Sequence, residues 1–195
     1  MSNNWAGNRV KLRAVELEDV EGFFSSEKDI DTDIQRLYDI ILFPLSKERL
    51  KEKIEVLSKN NPKDDEFTWI IEDMEGNIAG SIVTYNCNGK NGTFKYGIEI
   101  KKEHWGKGYA SEAIEIVLSY YFYELRYQKA NVYVYSFNER SMSFHEKIGF
   151  TYEGRLRRMV YTGGEYYDEV YYGMTIEEFE GKYRNKNSNR IQNGF

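Results

Sequence analysis

One amphipathic segment constrains the fold of this chain more than any other feature. Its apolar residues recur at the spacing of one helix face: they are Ala110, Ala113, Ile114, Val117, Leu118, Tyr121 and Phe122. A strand is predicted on each side of this helix, Phe94–Ile100 before it and Ala130–Tyr135 after it. A strand, a helix and a strand in this order imply a crossover between parallel strands.

The rest of the pattern predicts further strands, joined by turns that favour antiparallel pairing. Asp73–Asn77 and Gly163-Gly164 each stand between two predicted strands, as hairpin turns do. Helices are expected between 17 and 60 with Ser46 as an N-cap, over 141–148, and over 175–183 with Thr175 as an N-cap. The further strands are Val10–Arg13, Phe67–Glu72, Ile78–Tyr85, Phe150–Tyr161 and Tyr166–Met174.

These elements predict one domain of the mixed α/β class. The chain has 195 residues, within the usual size of a single domain, and neither an internal repeat nor a linker divides it. We expect the domain to span 1–183. Residues 184–195 are polar and lack periodicity, so a loose tail is expected there.

Charge and cysteine content limit the partners and the compartment. The net charge of -5 argues against a general nucleic-acid binder, which needs a basic face. Cys87 is the only cysteine, which fits a reducing compartment. We see no signal peptide, and no window approaches the roughly 18 apolar residues of a membrane span. A cytoplasmic protein is therefore expected, with no membrane, nucleic-acid or metal partner.

The turn Trp105-Gly106-Lys107-Gly108-Tyr109-Ala110 stands just before the long helix. Helix N-termini present unpaired N–H groups and a partial positive charge, and glycines let a bulky anion approach the main chain. The pattern fits neither a Walker P-loop nor a dinucleotide fingerprint, because Ser111 stands where the latter needs a third glycine. The turn is either a phosphate cradle or only a sharp strand-to-helix connection.

A second cluster, Asn138–Phe150, follows the next predicted strand. Asn138 suits an N-cap and Gly149 suits a C-cap, so local structure explains both without a ligand. His145 is one of only two histidines, and a histidine can donate a proton near physiological pH. A structural role is the alternative for a lone histidine.

Taken together, these clusters resemble the GNAT superfamily of N-acetyltransferases, within it the branch of ribosomal-protein N-terminal and spermidine acetyltransferases. The family's pyrophosphate motif, Gln/Arg-x-x-Gly-x-Gly/Ala, is similar to the turn except at Trp105. The later motif, Asn-x-x-Ala/Ser and then Glu-Lys-x-Gly-Phe, matches Asn138, Ser141 and Glu146–Phe150. The resemblance covers roughly residues 9–180 and implies a GNAT fold: a mixed, splayed central sheet with helices on both faces.

The resemblance also implies a site for acetyl-CoA in the gap between the two strands that flank the long helix. The main chain at Ile98–Ile100 would pair with the pantetheine arm, and an N–H near Ile98 would polarise the thioester carbonyl. Backbone N–H groups from Trp105 to Ser111 would hold the pyrophosphate.

The second cluster would complete this site. Asn138 and Ser141 would contact the pantetheine, and Arg140 or Lys147 would meet a phosphate at the adenosine end. The implied cofactor-binding residues are Ile98, Glu99, Ile100, Trp105, Gly106, Lys107, Gly108, Tyr109, Ala110, Ser111, Asn138, Arg140, Ser141 and Lys147.

For catalysis, the resemblance implies direct attack of a neutral amine on the thioester. Many family members carry a tyrosine, the general acid for the CoA thiolate, where this chain has His145. His145 is therefore the candidate acid, and another group nearby is the alternative. Glu99 is a candidate base, although strand alternation can place it on the wrong face. A positioned water is the other option.

The sequence leaves the acceptor open among a polyamine, a peptide N-terminus and a small amine. An acidic block between Glu16 and Asp33 either attracts a cationic amine or is a solvated helix face. A sheet with many edge strands and tyrosines is compatible with a homodimer. A non-catalytic acyl-CoA-binding module and a structural α/β domain are the rival interpretations.

Overall fold

The computed structural model describes residues 4–21, 46–59, 62 and 64–183. Most of the predicted helical interval from 17 to 60 and the expected tail at 184–195 lie outside these residues. The strands are β1 (Val10–Ala14), β2 (Thr68–Asp73), β3 (Ile78–Asn88), β4 (Thr93–Ile100), β5 (Lys129–Tyr135), β6 (Thr151–Thr162) and β7 (Glu165–Thr175). The helices are α1 (Lys47–Ser58), α2 (Tyr109–Tyr123) and α3 (Glu139–Lys147), and residues 176–183 are also helical.

The seven strands form one mixed sheet in the order β1-β2-β3-β4-β5-β7-β6. Neighbouring strands are antiparallel except β4 and β5, which α2 connects as the predicted parallel crossover. This parallel pair is short, because Thr93–Lys95 pairs with Lys129–Asn131 and the remaining residues of these two fully described strands diverge. The predicted splay of the central sheet is therefore present.

Helices cover both faces of the sheet, as predicted. On β2, Trp69 and Ile71 pack into the core that α2 covers, whereas Ile70 between them packs with Leu50 and Ile54 of α1. This division follows from the two-residue alternation of a strand. Full burial of each such apolar side chain contributes about 1.5–3 kcal/mol.

Side-chain caps explain where several helices begin. Ser46 accepts a hydrogen bond from the N–H of Arg49, so the predicted cap of α1 is confirmed. Asn138 accepts one from the N–H of Ser141 at 3.0 Å, and α3 consequently begins at Glu139, two residues before the predicted start. β3 extends three residues beyond the predicted Tyr85, with an irregularity in its pairing before Asn88 meets Thr93.

The first turn of α2 holds the beginning of β1. The carboxylate of Glu112 accepts hydrogen bonds from the backbone N–H groups of Asn8, Arg9 and Val10 at 3.0, 2.7 and 2.9 Å. This contact fixes residues that are 102 to 104 positions apart in the chain. It also brings Arg9 next to Gly108, at the start of the helix.

Candidate active site

A cavity of about 460 Å³ lies beside the diverging ends of β4 and β5. Ile98 and Ile100 of β4 form one wall, the turn before α2 forms the mouth, and α3 forms the opposite wall. Phe94 and Tyr96 lie on the same side of β4 as these isoleucines, in the core under α2. The crossover and the splay thus create a groove along an unpaired strand edge.

The turn before α2 has the backbone geometry of an anion site. Gly106 and Gly108 have φ angles of +78° and +81°, in the left-handed region that favours glycine. Since α2 begins at Tyr109, its first N–H groups lack acceptors within the helix. Gly106 lines the cavity, and a Cβ built there meets no atom of the described residues within 4 Å.

His145 lies in the cavity wall and is only 2% exposed. Its Nδ1 is 2.8 Å from the carbonyl oxygen of Ser141, which can only accept, so Nδ1 carries the proton and donates it. Burial lowers the pKa of His145 to about 4, which keeps the ring neutral at pH 7. Nε2 is therefore an acceptor, and it has no partner among the described residues.

A second buried polar atom without a partner lies nearby. The hydroxyl of Tyr96 has no hydrogen-bond partner in the described parts of the chain, and its ring centroid is 6.0 Å from that of His145. Burial raises the pKa of Tyr96 well above its ordinary value, so this hydroxyl is a donor at neutral pH. Two neighbouring rings, those of Tyr96 and His145, thus each carry a buried polar atom without a partner among the described residues.

Positive side chains surround the cavity, although the chain as a whole is acidic. Arg140, Lys147 and Lys182 line it, against a single carboxylate, that of Glu115, among its described lining residues. The guanidinium of Arg140 lies 3.7 Å from the centre of the Trp105 ring. This distribution of charge suits a ligand with several phosphates.

Most of the residues predicted for the site lie together around this cavity. Those that line it are Ile98, Ile100, Trp105, Gly106, Gly108, Tyr109, Ala110, Ser111, Asn138, Arg140, Ser141, His145 and Lys147. Glu99 and Lys107 do not. The Glu99 side chain alternates to the exposed face of β4, while Lys107 lies with its Nζ 3.3 Å from Nδ1 of His104.

The structure adds lining residues that the sequence did not indicate. Glu115 lies one helical turn after Ser111, so helical periodicity was the signal that could have found it. Lys182 and Tyr183 come from the last described helical residues, far along the chain, and no local pattern could indicate them. The full set of additions is His104, Glu115, Phe144, Ile148, Lys182 and Tyr183.

A groove at a splayed parallel pair, with a glycine turn at a helix N-terminus, suits a phosphate-bearing cosubstrate. Comparison with known families makes this specific, because residues 9–151 match the acetyltransferase (GNAT) domain. The chain belongs to the GNAT family and is an N-acetyltransferase.

Individual relatives agree with this assignment. The SPbeta prophage-derived uncharacterized N-acetyltransferase YokL of Bacillus subtilis is 43% identical over 90% of this chain and 95% of its own length. The spermidine N(1)-acetyltransferase of Escherichia coli is 26% identical over 85% of each chain. The crystal structure of the Vibrio cholerae spermidine N-acetyltransferase in complex with CoA and spermine has the same fold, with a TM-score of 0.75, 24% identity and coverage of 89% and 99%.

Two further observations concern the described residues alone. They contain no group of three or more His, Cys, Asp or Glu side chains placed to hold a metal ion. Their helices are also too short or too polar to cross a membrane.

Proposed function

We propose that this protein transfers the acetyl group of acetyl-CoA to a primary amine by direct attack. The cavity at the β4–β5 divergence, with the open glycine turn at its mouth, carries this proposal. Acetyl-CoA supplies an activated acetyl thioester when it is bound. The turn at Gly106 would hold its pyrophosphate, because the space beside Gly106 is open and a side chain there would fill it.

The free edge of β4 suits the pantetheine arm. On its other edge, β4 pairs with β3, where Ile98 lies opposite Ile82 and Ile100 opposite Gly80. On the side where β5 has diverged, the Ile100 carbonyl accepts a hydrogen bond from Trp105 Nε1, and the main chain of Ile98 is available to an extended ligand. An N–H of this segment would then stabilise negative charge on the thioester oxygen.

His145 is our candidate for the group that protonates the departing thiolate, and its tautomer sets the condition for this role. With the proton on Nδ1, Nε2 can only accept a hydrogen bond. Proton donation needs the other tautomer, in which the Ser141 hydroxyl, 3.3 Å away, donates to Nδ1. If His145 is the general acid, His145→Ala should lower kcat with little change in the Kd for CoA. Loss of CoA affinity with kcat retained would instead make His145 a hydrogen-bond acceptor for the ligand.

The acceptor is proposed as a polyamine, a peptide N-terminus or a small amine. The similarity to spermidine acetyltransferases supports a cationic amine. The acidic block lends little support within the described residues, because Asp19 is buried in an ion pair with Arg13 at 2.7 Å and Glu21 pairs with Lys47. Its members from 27 to 33 lie outside the described residues.

An amine panel tests the proposed function directly. Acetyl-CoA is incubated with the protein and with spermidine, a short peptide bearing a free N-terminus, or a small primary amine. CoA release is followed with a thiol reagent, and the acetylated product is identified by its mass. Amine-dependent release identifies the acceptor class. Tight CoA binding without release from any amine would contradict the proposal and favour the non-catalytic module.

Three sequence-based expectations stay predictions. They are a cytoplasmic location, a homodimer, and a single domain over 1–183 followed by a loose tail. Fractionation, light scattering and limited proteolysis test them in turn.

A further inference from the structure

Trp105 stands at the one position where the turn departs from the family's pyrophosphate motif, which has Gln or Arg there. The indole is fixed, since its Nε1 donates a hydrogen bond to the carbonyl oxygen of Ile100 at 2.7 Å. Arg140, which belongs to the first turn of α3, lays its guanidinium against this ring at 3.7 Å. Both side chains line the cavity. A positive charge thus reaches the turn from a different element.

The stacking leaves Arg140 free to bind an anion. A guanidinium that lies on an aromatic face keeps its N–H donors pointing outward in its own plane. Arg13 and Arg155 use theirs on carboxylates, but Arg140 has no such partner among the described residues. The ring also restricts a flexible side chain before the ligand arrives, which lowers the entropy that binding must overcome.

We propose that Trp105 is a positioning residue that holds Arg140 over the turn, where Arg140 binds a phosphate of the cosubstrate. This rests on the proposed function only in taking a CoA thioester as the ligand. The pyrophosphate and the 3′-phosphate of the adenosine end offer the same chemistry, and the experiment below distinguishes them. Arg140 thus supplies a positive charge at the turn, where Trp105, the first residue of the motif, is uncharged.

The test is a double-mutant cycle on cosubstrate binding. Kd is measured by calorimetry for the wild type, Trp105→Leu, Arg140→Ala and the double variant, with melting curves to verify that each is folded. We expect each single change to raise the Kd for acetyl-CoA about five- to tenfold, as for one partly exposed cation–π and phosphate contact. The Kd of the double variant should not exceed the larger of the two single-variant Kd values, because the tryptophan acts through the arginine.

Matched variants separate positioning from a general structural effect. Trp105→Phe keeps an aromatic face and should stay within about twofold of the wild type. Arg49→Ala removes the same charge from α1, on the opposite face of the sheet, and should not change Kd. In turnover assays, Trp105→Leu should raise KM for acetyl-CoA and leave kcat at saturation unchanged.

Ligand analogues then locate the phosphate. An Arg140→Ala effect that disappears with acetyl-dephospho-CoA places the arginine on the 3′-phosphate, and one that persists places it on the pyrophosphate. Acetylpantetheine should bind all variants equally. Additive single effects, or an equal effect on acetylpantetheine, would overturn the inference. Amine-dependent CoA release by the wild type would still support the proposed function in that case. A wild type that binds none of the three ligands would refute both.

Discussion

Gly106 offers a direct test of the proposed phosphate site, because a methyl group added there meets no described residue and would face the proposed ligand. Gly106 has φ +78° and Gly164, in the turn between β6 and β7, has φ +89°. A Cβ built at either position meets no described atom within 4 Å. Alanine at both positions therefore imposes similar backbone strain without a clash. Only the methyl group at residue 106 enters the mouth of the cavity.

The magnitudes follow from this geometry. A non-glycine residue in the left-handed region costs about 1–2 kcal/mol. For a chain of this size each kcal/mol lowers Tm by about 2–4 °C, so Gly106→Ala and Gly164→Ala should each melt roughly 2–8 °C below the wild type. A hydrogen bond to a charged group contributes about 1.5–3 kcal/mol, so losing one phosphate contact should raise the Kd for CoA roughly 10- to 100-fold in Gly106→Ala.

Thermal melting and calorimetric titration with CoA measure both quantities on the same samples. The expected pattern is an equal loss of stability in the two variants, with a loss of affinity confined to Gly106→Ala. If Gly106→Ala binds CoA as tightly as Gly164→Ala does, the turn does not hold the pyrophosphate and the proposed site is wrong.

Three further predictions concern stability. Glu112→Gln should lower the free energy of unfolding by about 2 kcal/mol in urea titrations, because its carboxylate accepts three backbone N–H groups; Glu177→Gln on the exposed surface should not. Burial lowers the pKa of His145 from 6.5 to about 4, so the unfolded chain binds more protons in that window. As pH falls from 7 to 4, the wild type should therefore lose about 3 kcal/mol more than His145→Phe, and equal losses would contradict this. Thr175→Ala should cost about 1 kcal/mol, measured by thermal melting, because Thr175 and Glu178 cap each other's N–H groups at the start of the last helix.

The architecture was predictable because its signals are local. The apolar spacing of α2 and the hairpin turns each depend on neighbours within a few residues, and the predicted crossover and mixed sheet are confirmed. Ends of elements were less predictable. The beginning of α3 depends on the side chain of Asn138 bonding to the backbone of Ser141, which periodicity does not report.

The candidate site was predictable in most of its residues but not in its interactions. The motifs indicated His145, yet its protonation depends on burial and on the Ser141 carbonyl, which only the folded chain brings together. From the sequence, Trp105 similarly indicated only that the motif's Gln or Arg side chain is missing. Its contact with Arg140 joins two elements separated by α2 and β5, so no spacing in the sequence could indicate it.

The short ladder between β4 and β5 has a mechanical consequence. The sheet has two halves, with β1–β4 on one side and β5, β7 and β6 on the other. Its strands join the halves only where Thr93–Lys95 pairs with Lys129–Asn131. An extended ligand that paired with the free edge of β4 at Ile98, as proposed above, would lie in the gap where the two halves diverge. At a concentration a hundred times Kd it would add about 2.7 kcal/mol to the stability of the folded chain. A bound cosubstrate would then also bridge the two halves of the sheet, and the folded chain would be most stable when its site is occupied.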